Sequence, residues 1–185
     1  MKKKMLTLAL IACLVAVASM GTLAYFSTTG TAENVITAGH IRAVLHEETT
    51  DKQPFPAEGI EGVMPGTAVD KVVYVENTGD YPAYVRIKLA TSVQNADGEQ
   101  MPVGDEMIAL DLNTTDWTYQ DGWYYYNTAL AAAENTAPLL RRVLFSKQMG
   151  NAYMEATVKV DVAMQAVQSQ NNGASALVAS GWPAE

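Results

Sequence analysis

His40 and His46 are the only histidines in the chain, and Cys13 is its only cysteine. A zinc site needs three or four nitrogen, sulfur or oxygen donors converging on one point. His46-Glu47-Glu48 begins like a zinc-protease helix, but Thr50 stands where the second histidine belongs. Two histidines six apart on a strand would share a face, where surface positions are the ordinary reading. The carboxylate pairs Glu47/Glu48 and Asp105/Glu106 read as charged loops, because a glycosidase needs its two acids across a cleft. Asp97, Glu99, Asp105 and Glu106 are the acids that calcium would use, without the spacing of an EF-hand. There is no Gly-x-Ser-x-Gly elbow and no glycine-rich phosphate loop. The expectation is therefore no catalytic residue, no metal and no cofactor.

One constellation could serve recognition. Trp117, Tyr119, Trp123 and Tyr125 fall in the aromatic run Trp117–Tyr126, and exposed Trp and Tyr dominate partner surfaces. The competing reading is that alternate members of the run face a core while the rest cover a sheet.

The elements that must position these residues read as strands. Ala38–Glu47 sets Ile41, Ala43 and Leu45 against Arg42, Val44 and His46. Glu48–Met64 is a loop with Pro54, Pro56, Gly59 and Gly62. Val69–Glu76 and Ala83–Gln94 are strands on either side of Asn77-Thr78-Gly79-Asp80, and together they read as a hairpin. Asn95-Ala96-Asp97-Gly98 is a turn; Met107–Leu112 is a short strand or a helical turn. Asp121-Gly122 between Trp117–Gln120 and Trp123–Tyr126 is the strongest hairpin signal in the chain, since both turn residues need positive φ. Ala129–Ala133 leans to strand and loop, and Leu139–Ser146 is a strand. Tyr153–Val167 alternates longest, with Met154, Ala156, Val158, Val160, Val162, Met164 and Ala166 on one face. Gln168–Gly173 breaks it, and Ala174–Trp182 is a short helix or a tail that packs Trp182. Seven or eight short strands without alternating helices predict an all-β fold, an antiparallel β-sandwich of immunoglobulin-like or jelly-roll type.

The N-terminus carries an address. Lys2-Lys3-Lys4 is followed by the apolar run Met5–Met20, and Thr22-Leu23-Ala24 offers a small-residue cleavage site. The expected parts are a signal peptide over 1–24, a mature N-terminal segment over 25–40 and a sandwich domain over 41–185. Cleavage would fall between Ala24 and Tyr25. The alternatives are an uncleaved anchor, since roughly 20 apolar residues span a bilayer, and lipidation at Cys13. The apolar run continues past Cys13, which favours a plain signal core. In each case the domain would lie outside the cell.

Composition agrees. The 185 residues are 49% hydrophobic, which suits one domain with a proper core and not a disordered chain. The net charge of −8 makes a poor match to nucleic acid or an anionic membrane. Without Cys13 the mature part has no disulfide, so burial and strand pairing must hold it together.

Three stretches carry a family resemblance. Gly21-Thr22-Leu23-Ala24-Tyr25-Phe26 with Asn34-Val35-Ile36-Thr37-Ala38-Gly39-His40-Ile41 resembles the cleavage region and first strand of the TasA/camelysin family of exported Gram-positive proteins. Met64-Pro65-Gly66 and Val72–Gly79 resemble that family's Pro-Gly turn and its strand ending in Asn-x-Gly. Asp121–Tyr126 and Ala163–Gln168 look like the C-terminal half of proteins processed by the signal peptidase SipW. The resemblance implies a secreted, jelly-roll-like subunit of the extracellular biofilm matrix, processed by SipW and self-assembling into fibres. In such fibres the N-terminal strand of one copy completes the sheet of the next; here that strand would be Tyr25–Ala38. Partners would be further copies and other matrix or cell-surface components, with no nucleic acid. The alternatives are a non-polymerising adhesion module and a camelysin-like metalloprotease, for which no motif is present.

Overall fold

The computed structural model describes residues 41–57, 64–103, 106–150, 153 and 155–184. The signal segment, the cleavage site at Ala24 and Tyr25, and the donor segment Tyr25–Ala38 lie outside the described residues, as do His40 and Asp105. All described residues belong to one compact unit, Glu33–Glu185.

Nine strands are described: β1 Ala43–Glu48, β2 Ala68–Asn77, β3 Ala83–Gln94, β4 Gln100–Met101, β5 Ile108–Leu112, β6 Trp117–Gln120, β7 Trp123–Tyr126, β8 Leu140–Phe145 and β9 Thr157–Gln168. They form two antiparallel sheets with almost no helix. One sheet runs β1-β2-β8-β5; in the other β3 is central, with β9 on one side and β7, then β6, on the other. β4 continues the β7 side at the far end of β3, pairing Val93 with Met101. Core residues come from both sheets, among them Val73, Val75 and Val143 of the first and Val85, Ile87, Val158 and Met164 of the second. The fold is thus all-β and sandwich-like.

The period-2 pattern translates directly into faces. On β9, Val158, Val160, Met164 and Ala166 enter the core, and Val162 packs against it. On β1, Ile41 and Ala43 are buried and Leu45 leans on the core. The β6–β7 hairpin turns at Asp121 (φ 51) and Gly122 (φ 84), the double positive φ that Asp-Gly supplies with least strain. Met107–Leu112 resolves as a strand, Ile108–Leu112.

The expected hairpin between Val69–Glu76 and Ala83–Gln94 does not form. β2 lies between β1 and β8 in one sheet, and β3 lies in the other. The five residues 78–82 cross the sandwich instead. Both edges of β2 are already taken, so β3 has no edge there to pair with.

Asn77 latches this crossing. It is fully buried (0% exposed). Its Nδ2 donates to the carbonyls of Tyr81 (2.9 Å) and Leu130 (3.0 Å), and its Oδ1 accepts from the Gly79 amide (3.0 Å). Its backbone amide donates to Glu134 O, and its carbonyl accepts from Ala133 N. The Asn-x-Gly motif is therefore a three-way tie between the end of β2, the start of β3 and the loop after β7. Leu130 in turn pairs with Ala83 through two backbone bonds, which places Ala129–Ala133 as loop with one bridge. Replacing Asn77 by Ala removes three side-chain hydrogen bonds, each worth about 1 kcal/mol, while Leu130 O keeps its bond from the Ala83 amide. We expect Asn77→Ala to destabilise the domain by about 3 kcal/mol, read as a lowered urea midpoint, with Leu130→Val costing less.

Candidate functional site

Three of the four aromatic residues expected at a partner surface are withdrawn from solvent. Trp117 is 1% exposed, and its Nε1 donates to Ala137 O at 2.9 Å, so it is a core residue and not a contact surface. Register explains the split. Trp117 and Tyr126 face each other on the core side, while Trp123 and Tyr125 project from the opposite face of the hairpin. Only Tyr119 stays open, 62% exposed, its ring 4.8 Å from that of Tyr124.

Trp123 and Tyr125 are buried by the chain's own C-terminal tail. A second small core joins them with Tyr84, Val167 and Ala176, and Trp182 packs on it. Arg86 is the clamp. Its guanidinium carbon lies 4.2 Å from the Trp123 ring centre and 4.6 Å from that of Trp182. Its Nε and Nη2 both donate to Gln165 Oε1 (2.9 and 2.6 Å), and its Nη1 donates to the Tyr125 hydroxyl (3.0 Å). Gln165 also donates to Pro183 O (3.3 Å). The expected packing of Trp182 is realised, and the only helical turn there is the three-residue 3-10 segment Ala176–Val178.

A polar cluster that sequence reading did not find lies on the solvent side of the β1–β2 pair. His46 and Tyr74 stand opposite each other in register, and their rings stack at 4.7 Å and 9°. His46 Nε2 lies 2.8 Å from Glu76 Oε2, and His46 Nδ1 lies 3.8 Å from Glu48 Oε1. Tyr74 donates its hydroxyl proton to Glu48 Oε1 at 3.2 Å. The Tyr74 phenol is pushed above its ordinary value of 10.0, first by burial, then by the charge and hydrogen bond of Glu48 and the charge of Glu76. Glu48 and Glu76 sit at different nitrogens of the same ring, so they do not converge on a metal. Among the described residues no group of three or more His, Cys, Asp or Glu side chains could hold one. Asp97 and Glu99 belong to the turn after β3, where Asn95 Oδ1 accepts from both of their amides.

On the inner side of the same two strands, Lys71 is 3% exposed, in line with the buried Val73 and Val75. It forms an ion pair with Glu47, and its ammonium lies 3.9 Å from the Phe55 ring centre. This buried charge is satisfied by a carboxylate and an aromatic face.

The remaining feature is an edge. β9 pairs with β3 along all twelve of its residues, and among the described residues nothing pairs with its other side. The tail that follows lies over the face of the sheet, on Trp123 and Tyr125, and not along that edge. Compared with protein-family models, curated proteins and solved structures, the chain matches none.

Because the folded state raises the Tyr74 pKa, it favours the neutral phenol. The stability this contributes is complete below pH 10.0 and is lost as pH rises through the higher folded value. We expect Tyr74→Phe to lose less stability than the wild type above about pH 10. Thermal melts across that range, with tyrosinate absorbance to follow ionisation, would show it.

Proposed function

We propose that the protein is an exported structural subunit of an extracellular matrix, related to the TasA/camelysin proteins, processed by SipW between Ala24 and Tyr25, and assembled into fibres by strand addition. It carries out no catalysis on this reading and takes no cofactor. The observation that supports it is the outer edge of β9, which among the described residues has no partner. The order β1-β2-β8-β5 follows the A-B-E-D order of immunoglobulin-type sandwiches, and β3 with β9 takes the places of C and F. The finer fold is on this basis read as immunoglobulin-type with an added β6–β7 hairpin, in preference to a jelly roll. In that arrangement strand G pairs with F, and among the described residues no strand fills its place.

An unpaired edge of this length is a template for another strand. Its dimensions suit the segment Tyr25–Ala38. Fourteen extended residues reach about 46 Å, and a twelve-residue strand spans about 40 Å. The donor is rich in Thr, Ala, Val and Ile and has no proline, so it can present backbone amides throughout. Lys159 and Asp161 on the solvent side of β9 keep the edge from pairing with another β9 indiscriminately. The adhesion-module alternative loses support, since Trp117, Trp123 and Tyr125 are buried.

Negative-stain microscopy of the processed protein is expected to show filaments. Deletion of Tyr25–Ala38 should leave monomers that bind a synthetic Tyr25–Ala38 peptide. Filaments that survive the deletion would overturn the donor role.

A further inference from the structure

We propose that the shallow cavity beside Tyr74, on the solvent side of the β1–β2 pair, is a glycan-binding subsite that seats one pyranose unit of a neutral polysaccharide. The site is separate from the β9 edge and does not depend on fibre assembly.

The cavity has a volume of about 320 Å³ and opens to solvent, at the small end of the range for small-molecule sites, roughly 300–1,000 Å³. Val72 and Tyr74 line it from β2, Glu48 from the end of β1, Thr50 and Lys52 from the turn that follows, and Asn135 and Pro138 from the loop before β8. His46 covers one face of the Tyr74 ring and does not line the cavity, so the ring meets the cavity with its other side. The stack and the hydrogen bond to Glu48 hold that ring in place before any ligand arrives.

The two flanking walls are preformed as well. Thr136 N donates to Val75 O and Leu139 N to Val73 O, both at 2.8 Å, which pins the Asn135–Pro138 wall to β2. The opposite wall is the tight turn in which Thr49 N donates to Gln53 O (2.8 Å) and Lys52 N to Thr49 O (2.9 Å). Lys52 occupies its left-handed position at φ 58, where glycine would fit without strain. Held there, Lys52 lines the cavity.

The lining selects a ligand class. A lining with one lysine and one glutamate is a poor phosphate site, and the carboxylates around His46 do not converge on a cation. An extended peptide cannot pair with β2 beneath Tyr74, because both edges of β2 are paired. What the cavity offers is a phenol ring stacked on His46, with Pro138 and Val72 for an apolar face, among lining residues that carry hydroxyl, amide, carboxylate and amine groups. The Thr50 hydroxyl donates to Asp70, and Glu48 accepts from Tyr74. A pyranose presents the matching surface, a flat C–H face with hydroxyls around its rim that both donate and accept. Glu48 and the acidic chain favour a neutral sugar over a uronate.

The test is isothermal titration of the full chain with cello-, laminari- and chito-tetraose, with a hexuronate tetramer as the charged comparison. At least one neutral oligosaccharide should bind saturably. Tyr74→Ala should weaken it by about tenfold or more. Lys52→Gly, which relieves the left-handed strain, should weaken it several-fold while the melting temperature holds or rises. No binding by any neutral oligosaccharide at about 10 mM, equal binding by wild type and both variants, preference for the uronate, or loss of binding in Tyr119→Ala instead would each overturn the proposal.

Discussion

The pairing of β3 with β9 carries the second sheet. Twelve successive residues on each strand are in register, from Ala83 opposite Gln168 to Gln94 opposite Thr157. β3 has neighbours on both sides, whereas β9 relies on β3 alone among the described residues. The same contact therefore builds the core and leaves a long row of backbone donors and acceptors at the rim. In a chain without a disulfide in its folded part, such backbone pairing and apolar burial supply the stability. The edge follows from the way the core is made.

Buried polar groups show how closely the interior is specified. Among the described residues no buried side-chain nitrogen or oxygen lacks a hydrogen-bond partner. Asn77 joins three chain segments, Thr136 accepts from the Val75 amide at 3.0 Å, and Trp117 reaches Ala137 O. Each of these bonds connects parts far apart in sequence, so each selects one arrangement of the two sheets over its competitors. Lys71 and Glu47 do the same at the inner rim of β1 and β2. Arg86 fastens the tail over the outer face of the second sheet. That contact explains why an aromatic-rich hairpin presents so little aromatic surface.

Strand existence was legible because period 2 is a local property. Ala83–Gln94 appears with the bounds its pattern predicts, and the Trp117–Gln120 and Trp123–Tyr126 hairpin does so too. The aromatic run alternates as its competing reading had it, but which members face the core, Trp117 and Tyr126, came from register and not from the sequence. What failed was the pairing of β2 with β3. Asn77-Thr78-Gly79-Asp80 has turn composition, but composition does not distinguish a hairpin within one sheet from a crossing between two. The cluster around Tyr74 was illegible for a related reason. His46 and Glu48 are about thirty residues from Tyr74 and Glu76, and only strand register brings them together.

Sequence alone determined the all-β character, most strand bounds, the Asp121-Gly122 turn and the inward face of β9. These depend on dihedral preferences and side-chain alternation within a few residues. Tertiary structure decided which sheet each strand joins, that Lys71 turns inward to Glu47, that the tail hides Trp123 and Tyr125, and that Tyr74 stands beside a cavity. Those outcomes rest on hydrogen bonds and burial between segments tens of residues apart, whose partners no local pattern names.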